Sequence, residues 1–194
     1  MSTPLSKSRQ SPQATSERLL QAAAIEFNEQ GFGGTDTNKI ARRAGFAPQT
    51  FYRWFQDKVE IFIKTYERWR HEEFSAINKL LAENASDIRL ARAIVAHHKA
   101  YLVFRRSLRQ LSVENDVIRA ARAHGRLSQI AYLKNMNPGN LLDDAELAAI
   151  LLQTERLADA LAEGEFRDMG LNMKAGEEAL ARLIHDLRSP DLTV

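Results

Sequence analysis

Residues 37–55 read TNKIARRAGFAPQTFYRWF. Two short helical stretches, about Thr37–Ala44 and Pro48–Phe55, flank a tight turn at Gly45-Phe46-Ala47. Ile40, Ala41 and Ala44 can pack on Phe51 and Phe55 across that turn, each set lying on one helical face. Asp36 is placed to cap the first helix. Pro48 suits the first turn of the second, where its missing N–H costs nothing. Isolated helices shorter than about 12–15 residues are marginal in water, so flanking helices must hold this pair, through Phe27 on one side and the start of the Asp57 helix on the other. This is the construction of a helix-turn-helix, whose second helix enters the major groove of duplex DNA by its N-terminal residues.

The side chains suit that use. Gln49 and Thr50 fall in the first turn of the second helix, where Gln can pair with adenine and Thr offers a hydroxyl and a methyl. Tyr52, Arg53 and Lys58 follow and suit phosphate oxygens, while Lys39, Arg42 and Arg43 lie on the first helix. The helix starts near Thr37 and Pro48 add anion-binding N–H groups. Charge is divided in the same sense. Residues 1–70 hold 11 Lys/Arg against 7 Asp/Glu, a net of +4, and the rest of the chain has a net of −2. A basic head on a slightly acidic remainder fits a polyanion-binding part and a body that binds something else.

Outward from this core the periodicity is helical throughout. Residues 1–14, rich in Ser, Pro and Gln with Lys7 and Arg9, read as a flexible basic arm. A helix from Ser16 carries Leu19, Leu20, Ala23 and Phe27 on one face and ends at Gly31. Asp57 starts a long helix with Glu60 in capping-box position. Further helices are expected over 87–111, with Ser86 as N-cap, over 115–135, ended by MNPGN, and from Asp143 to Gly164. A last stripe precedes Pro190. The expected fold is all-α, with eight to ten helices. It comprises an arm (1–14), a helix-turn-helix DNA-binding domain (15–60), and a larger helical body (61–194).

The stretch ERLLQAAAIEFNEQGFGGTDTNKIARRAGFAPQTFYRWFQDKVEIF resembles the DNA-binding domain of the tetracycline-repressor (TetR) family. The matching features are Ala22-Ala23, Phe27, Gly31 with an aromatic after it, Thr35, Ile40-Ala41, Ala44-Gly45, Phe51-Tyr52, Phe55 and Lys58. The resemblance covers about residues 17–65, a quarter of the chain. The remainder agrees only in length and helix count. Three positions depart from the family pattern. Asp36 replaces a capping Thr, Trp54 replaces a smaller aromatic or His, and Ala47 replaces a capping Ser, losing a cap worth about 1 kcal/mol. The resemblance implies that Thr37, Gln49, Thr50, Tyr52 and Lys58 contact DNA. Charge and placement add Arg42 and Arg53.

The resemblance also implies an effector pocket and a two-fold dimer in the C-terminal body. Aromatic and polar side chains in its helices supply pocket candidates: Phe62, Tyr66, Trp69, His97, His98, Tyr101, Phe104, Arg105, His124 and Tyr132. Adjacent His97 and His98 lie about 100° apart on a helix, so only one can face a pocket squarely. Leu147, Ile150, Leu151, Leu157 and Leu161, with Leu180, Leu183, Ile184 and Leu187, form stripes expected to meet the same pair from a second subunit. Packing of these stripes within one chain is the competing reading.

The expected partners are double-stranded DNA carrying an inverted repeat, a small-molecule effector and a second copy of the chain. The expected action is repression relieved by the effector, with the long helix from Asp57 as lever. A family activator and a helical scaffold without DNA binding remain alternatives. The latter would show no salt-dependent DNA affinity. Zero Cys excludes disulfide, thiolate-zinc and Cys-nucleophile chemistry. The helix around His71-Glu72-Glu73 has Ser75 where a zinc helix needs His, and no catalytic, metal or cofactor motif is found, so no enzyme activity, metal or cofactor is expected. With no apolar leader or spanning segment, a cytoplasmic, non-membrane protein is expected.

Overall fold

The structure is a computed structural model that describes residues 12–139 and 141–188. Among them there is no strand, and ten helical segments follow one another. The chain divides into two compact units, residues 1–66 and 67–194. Residues 1–11 of the expected arm lie outside the described residues. Residues 12–14, also expected in the arm, already belong to the first helix, α1 (Pro12–Gly34), which opens on its proline.

In the N-terminal unit, α1 breaks at Gly31, whose φ of 70° is outside helical space. α2 (Thr37–Arg43) starts at Asp36, whose carboxylate accepts from the Lys39 N–H at 2.8 Å. α3 (Pro48–Phe51) is shorter than its apolar spacing predicts, although Phe55 N–H still donates to Phe51 O. Ala47 offers no side-chain cap to this helix. The core holds Leu19, Phe27, Ile40, Ala41, Phe51, Ile61 and Phe62, all fully buried. Phe27, Phe32 and Phe62 form an aromatic trio, with Phe62 meeting Phe27 edge-on at 4.9 Å and Phe32 at 5.2 Å. α4 (Lys58–Ala82) begins with Asp57 Oδ1 accepting from Glu60 N–H at 2.8 Å. The Glu60 carboxylate reaches back to the Gln56 N–H at 2.6 Å, one residue earlier than a standard capping box.

The C-terminal unit contains the rest of α4 and α5 (Asp87–Ala100), α6 (Leu102–Glu114), α7 (Asp116–Met136), α8 (Asp144–Glu163), α9 (Glu165–Asp168) and α10 (Met173–Arg188). The single helix expected over 87–111 is two. Tyr101 leaves helical space at φ −117° and ψ 31°, with its hydroxyl donating to Glu72 Oε2 at 2.6 Å. That anchor is a tertiary contact, which local periodicity does not encode. α8 has a complete capping box between Asp143 and Glu146 and ends at Gly164 in the left-handed region, φ 87°.

α5, α8 and α10 pack together, and α6 packs on α7. Leu161, Leu180 and Ile184 join Leu90, Ala91 and Ala158 in one core cluster, and Leu147, Leu151 and Leu187 join Ile130 and Leu142 in another. This corrects the expected use of the stripes. Six of their residues fill the interior of their own chain, because α8 and α10 each have α5 or α7 as well as one another to cover.

Candidate functional site

The helix-turn-helix is built as its spacing predicts. The turn passes through Gly45 at φ 77°, where an L side chain is strained. A Cβ there would also lie 2.9 Å from the Arg18 guanidinium. That guanidinium donates to Ala44 O at 2.7 Å and lies over the Phe46 ring. Ile40, Ala41, Ala44, Phe51 and Phe55 are all buried across the turn. The opposite surface carries Arg42, Gln49, Tyr52 and Arg53, all exposed, with Thr37 and Thr50 half-buried. Tyr52 is 59% exposed, so it does not share the inward face of its neighbour Phe51. Its hydroxyl and that of Thr37 lie 2.9 Å apart, tying the start of α2 to the end of α3. Trp54, also exposed, belongs to the same surface. The signal for it was its position next to Tyr52-Arg53 and off the Phe51/Phe55 face.

Three of the basic residues are tied to groups of their own unit. Lys58 donates to Phe32 O at 2.9 Å and Thr35 O at 3.0 Å, and its ammonium lies over the Phe32 ring. Burial pushes that ammonium below the usual lysine range. This revises the expected phosphate contact: two of its three donors go to carbonyls at the end of α1 and just after it, leaving one. Lys39 donates to the O of Gly34, the last residue of α1, at 2.9 Å. Arg43 bridges Glu26 at 2.6 Å and Glu29 at 2.5 Å. Glu26, a residue the sequence reading passed over, is buried and also accepts from Thr35 at 2.7 Å. Burial alone would raise its carboxyl, but Thr35 and Arg43 hold it below the usual carboxylate range.

The expected pocket residues divide. Phe62 and Tyr66 are buried in the N-terminal unit, Phe62 as part of its aromatic trio. His124 is exposed on α7, and Phe104 is fully buried core. Tyr132 packs on Phe74 and donates to Asn78 at 2.6 Å. Those corrections leave Trp69, His97, His98, Tyr101 and Arg105, which do come together. Trp69 stacks on His97 at 5.1 Å, meets His98 edge-on at 5.4 Å, and has the Arg105 guanidinium 4.5 Å above its ring.

They pack on one another and on carboxylates that the sequence left unmatched. His98, 3% exposed, faces Asp159 with Nδ1 at 2.8 Å and Glu73 with Nε2 at 3.2 Å. Burial would lower its pKa, but these two partners raise it. His97 is only half-buried and is pushed down by desolvation. Burial and Glu72 push Tyr101 up to about 12. Asp159 accepts from His98 and Arg105 and forms an ion pair with Arg109, and Glu155 accepts from Arg105, Arg122 and Arg126. Burial would raise the Asp159 carboxyl, yet His98 and Arg105 hold it far below the usual range.

A groove of about 1200 Å³ opens elsewhere on this unit, between α8 and α10. Leu152, Leu157, Ala160, Ala179 and Leu183 line it, with Arg156, Arg182 and Asp186 among its polar residues. Among the described residues, no helix is long and apolar enough to cross a membrane.

Residues 19–65 match the family described as bacterial regulatory proteins, tetR family. The uncharacterized HTH-type transcriptional regulator YdgC of Bacillus subtilis (strain 168) is 37% identical over 68 residues, 35% of this chain and 35% of that protein. The HTH-type transcriptional regulator AcrR of Shigella flexneri is 33% identical over 61 residues, 31% of this chain and 28% of that protein. The chain thus spans about a third of the length of the curated relatives it matches. The structure of the fatty acid degradation regulator FadR from Bacillus halodurans superposes with a TM-score of 0.62 at 16% identity, covering 91% of this chain and 96% of that one. A transcriptional regulator from Rhodococcus sp. Rha1 gives 0.64 at 16% identity, covering 89% and 95%. At that identity the likeness is one of fold, and it extends through both units.

Proposed function

We propose that this chain, whose residues 19–65 match the tetR family of bacterial regulatory proteins, is a DNA-binding transcriptional regulator, acting as a homodimeric repressor released by a small-molecule effector. The observation that carries the DNA-binding part is the segregation across Gly45: apolar side chains inside, and Gln49 on α3 with Tyr52 and Arg53 in the turn just after it outside. Gln49 and Thr50 read base edges from the first turn of α3. Arg42, Arg53, Thr37 and Tyr52 take phosphates and set the register. Lys58 positions the loop behind them and has one donor left for the backbone.

One short recognition helix covers few base pairs. Two subunits would read half-sites about 34–36 Å apart or a multiple of that. The α8/α10 groove is the apolar surface this chain offers to a second copy, through Leu152, Leu157 and Leu183. An effector would release DNA only to the extent that it binds the two conformations of the dimer unequally.

The test is a titration on fragments of the DNA upstream of the protein's own gene, across a range of salt. Arg53→Ala is expected to flatten the slope of log affinity against log salt by about one and to weaken binding to all sequences alike. Gln49→Ala should change the preferred base at one position and leave the slope alone. Indifference of the wild-type chain to every fragment at low salt would defeat the reading and favour a helical scaffold.

A further inference from the structure

Glu155, on α8, accepts from Arg105 and Arg122, each at 2.7 Å, and from Arg126. Arg105 has a second carboxylate, Asp159, at 2.9 Å. Arg109 is shared between Asp159 and Glu163, and Arg106 also reaches Glu163. The other hydrogen bonds of Arg122 and Arg126 go to neutral groups, Ser112 Oγ at 3.0 Å and Gln129 Oε1 at 2.9 Å. Five guanidinium ions therefore face three carboxylates, while His98 and Glu73 offset one another. Burial would raise the Glu155 carboxyl, but Arg105, Arg126 and Arg122 hold it at about 2, so the acid side of this balance is fully ionised.

Arg106 is 55% exposed and solvated, whereas Arg122 and Arg126, with side chains 23% and 19% exposed, share Glu155 with Arg105 and have no second carboxylate among the described residues. They are within reach of solvent yet largely desolvated. A partly buried cation short of an anion is unfavourable, and a guanidinium takes a carboxylate or phosphate through its planar fork.

We propose that Arg122 and Arg126 bind the oxyanion group, carboxylate or phosphate, of a small molecule, supplying the anion that the α6–α7–α8 cluster lacks. The inference rests on reading the C-terminal unit as an effector domain, and it makes the effector an anion.

The full chain is titrated with sodium phosphate and, separately, with sodium acetate, at ionic strength held constant with sodium chloride. Arginine Nε–H signals are followed by NMR. Saturable shifts at Arg122 and Arg126 are expected, weakened about tenfold in Arg122→Lys and Arg126→Lys, which keep the charge beside Glu155 but lose the fork. Saturation by phosphate alone identifies a phosphate ester, and by acetate alone a carboxylate. Either outcome supports the site. Shifts that rise linearly without saturating, that are equal in wild type and lysine variants, or that are confined to other arginines overturn it. DNA affinity is measured in parallel. Saturable binding that leaves DNA affinity unchanged keeps the anion site and removes the effector reading. Release of DNA by a neutral compound, with no saturable anion binding, removes the anion site alone.

Discussion

His98 holds a carboxylate oxygen at each ring nitrogen, Asp159 from α8 and Glu73 from α4. A neutral imidazole has one N–H, so it can donate to only one of them, whereas the imidazolium donates to both. The folded-state pKa is raised, with Asp159 and Glu73 outweighing burial and the repulsion of Arg105. The sign follows. The folded chain holds this proton more tightly than the unfolded chain, so the stabilisation is complete below the unfolded value of about 6.5 and is lost as pH rises through the raised value. Urea unfolding between pH 6 and 9 should show stability falling with pH in the wild type, and a flatter profile in His98→Gln. Equal slopes in both would remove His98 as the linked group. Lys58 is a second residue whose contacts decide its role. Lys58→Ala should lower the thermal midpoint, whereas Arg53→Ala should not, because Lys58 caps carbonyls at the end of α1 and just after it and Arg53 is exposed.

Helices α8 and α10 meet at Gly176, which is buried although it sits in a helix where Ala would be favoured by about 1 kcal/mol. A Cβ at this position would lie 2.8 Å from Leu161 Cδ2 and 2.8 Å from the Phe166 ring. Leu161 is itself a buried core residue, so relief by a simple rotation is limited. Overpacking costs about 1–3 kcal/mol, which exceeds the gain in helix propensity. Gly176→Ala is therefore expected to destabilise the chain by about 1–2 kcal/mol in denaturant unfolding. An unchanged or raised midpoint would show that α9 and α10 adjust freely. At the other end of α8, Asp143→Ala removes a complete capping box and should cost about 1 kcal/mol.

At the scale of the whole molecule, the proposal is an assembly of two copies through the α8/α10 groove. Leu152 is 56% exposed on that surface, and Leu157 and Leu183 are half-buried beside it. A carboxylate placed there would have to be desolvated on association. Leu152→Glu should convert a dimer into a monomer in sedimentation and weaken binding to a two-half-site fragment, while leaving the helical content unchanged. A wild-type chain that sediments as a monomer at tens of micromolar would end the dimer proposal without touching the helix-turn-helix.

The helical class, the Asp36 and Asp143 caps, the Gly45 turn and the inward Phe51/Phe55 pair were legible because each depends on groups within a few residues of one another. The same holds for the outward Gln49, Tyr52 and Arg53. Tertiary structure alone decided the rest. It placed Phe62 in the N-terminal core, split 87–111 at Tyr101, turned Lys58 onto carbonyls at the end of α1 and just after it, and put most of the leucine stripes inside their own chain. It also joined His98 to Asp159 and Arg105 to Glu155, 61 and 50 residues apart. A charged or apolar side chain states what it needs as a neighbour, but which distant residue meets the need is set only when the helices pack.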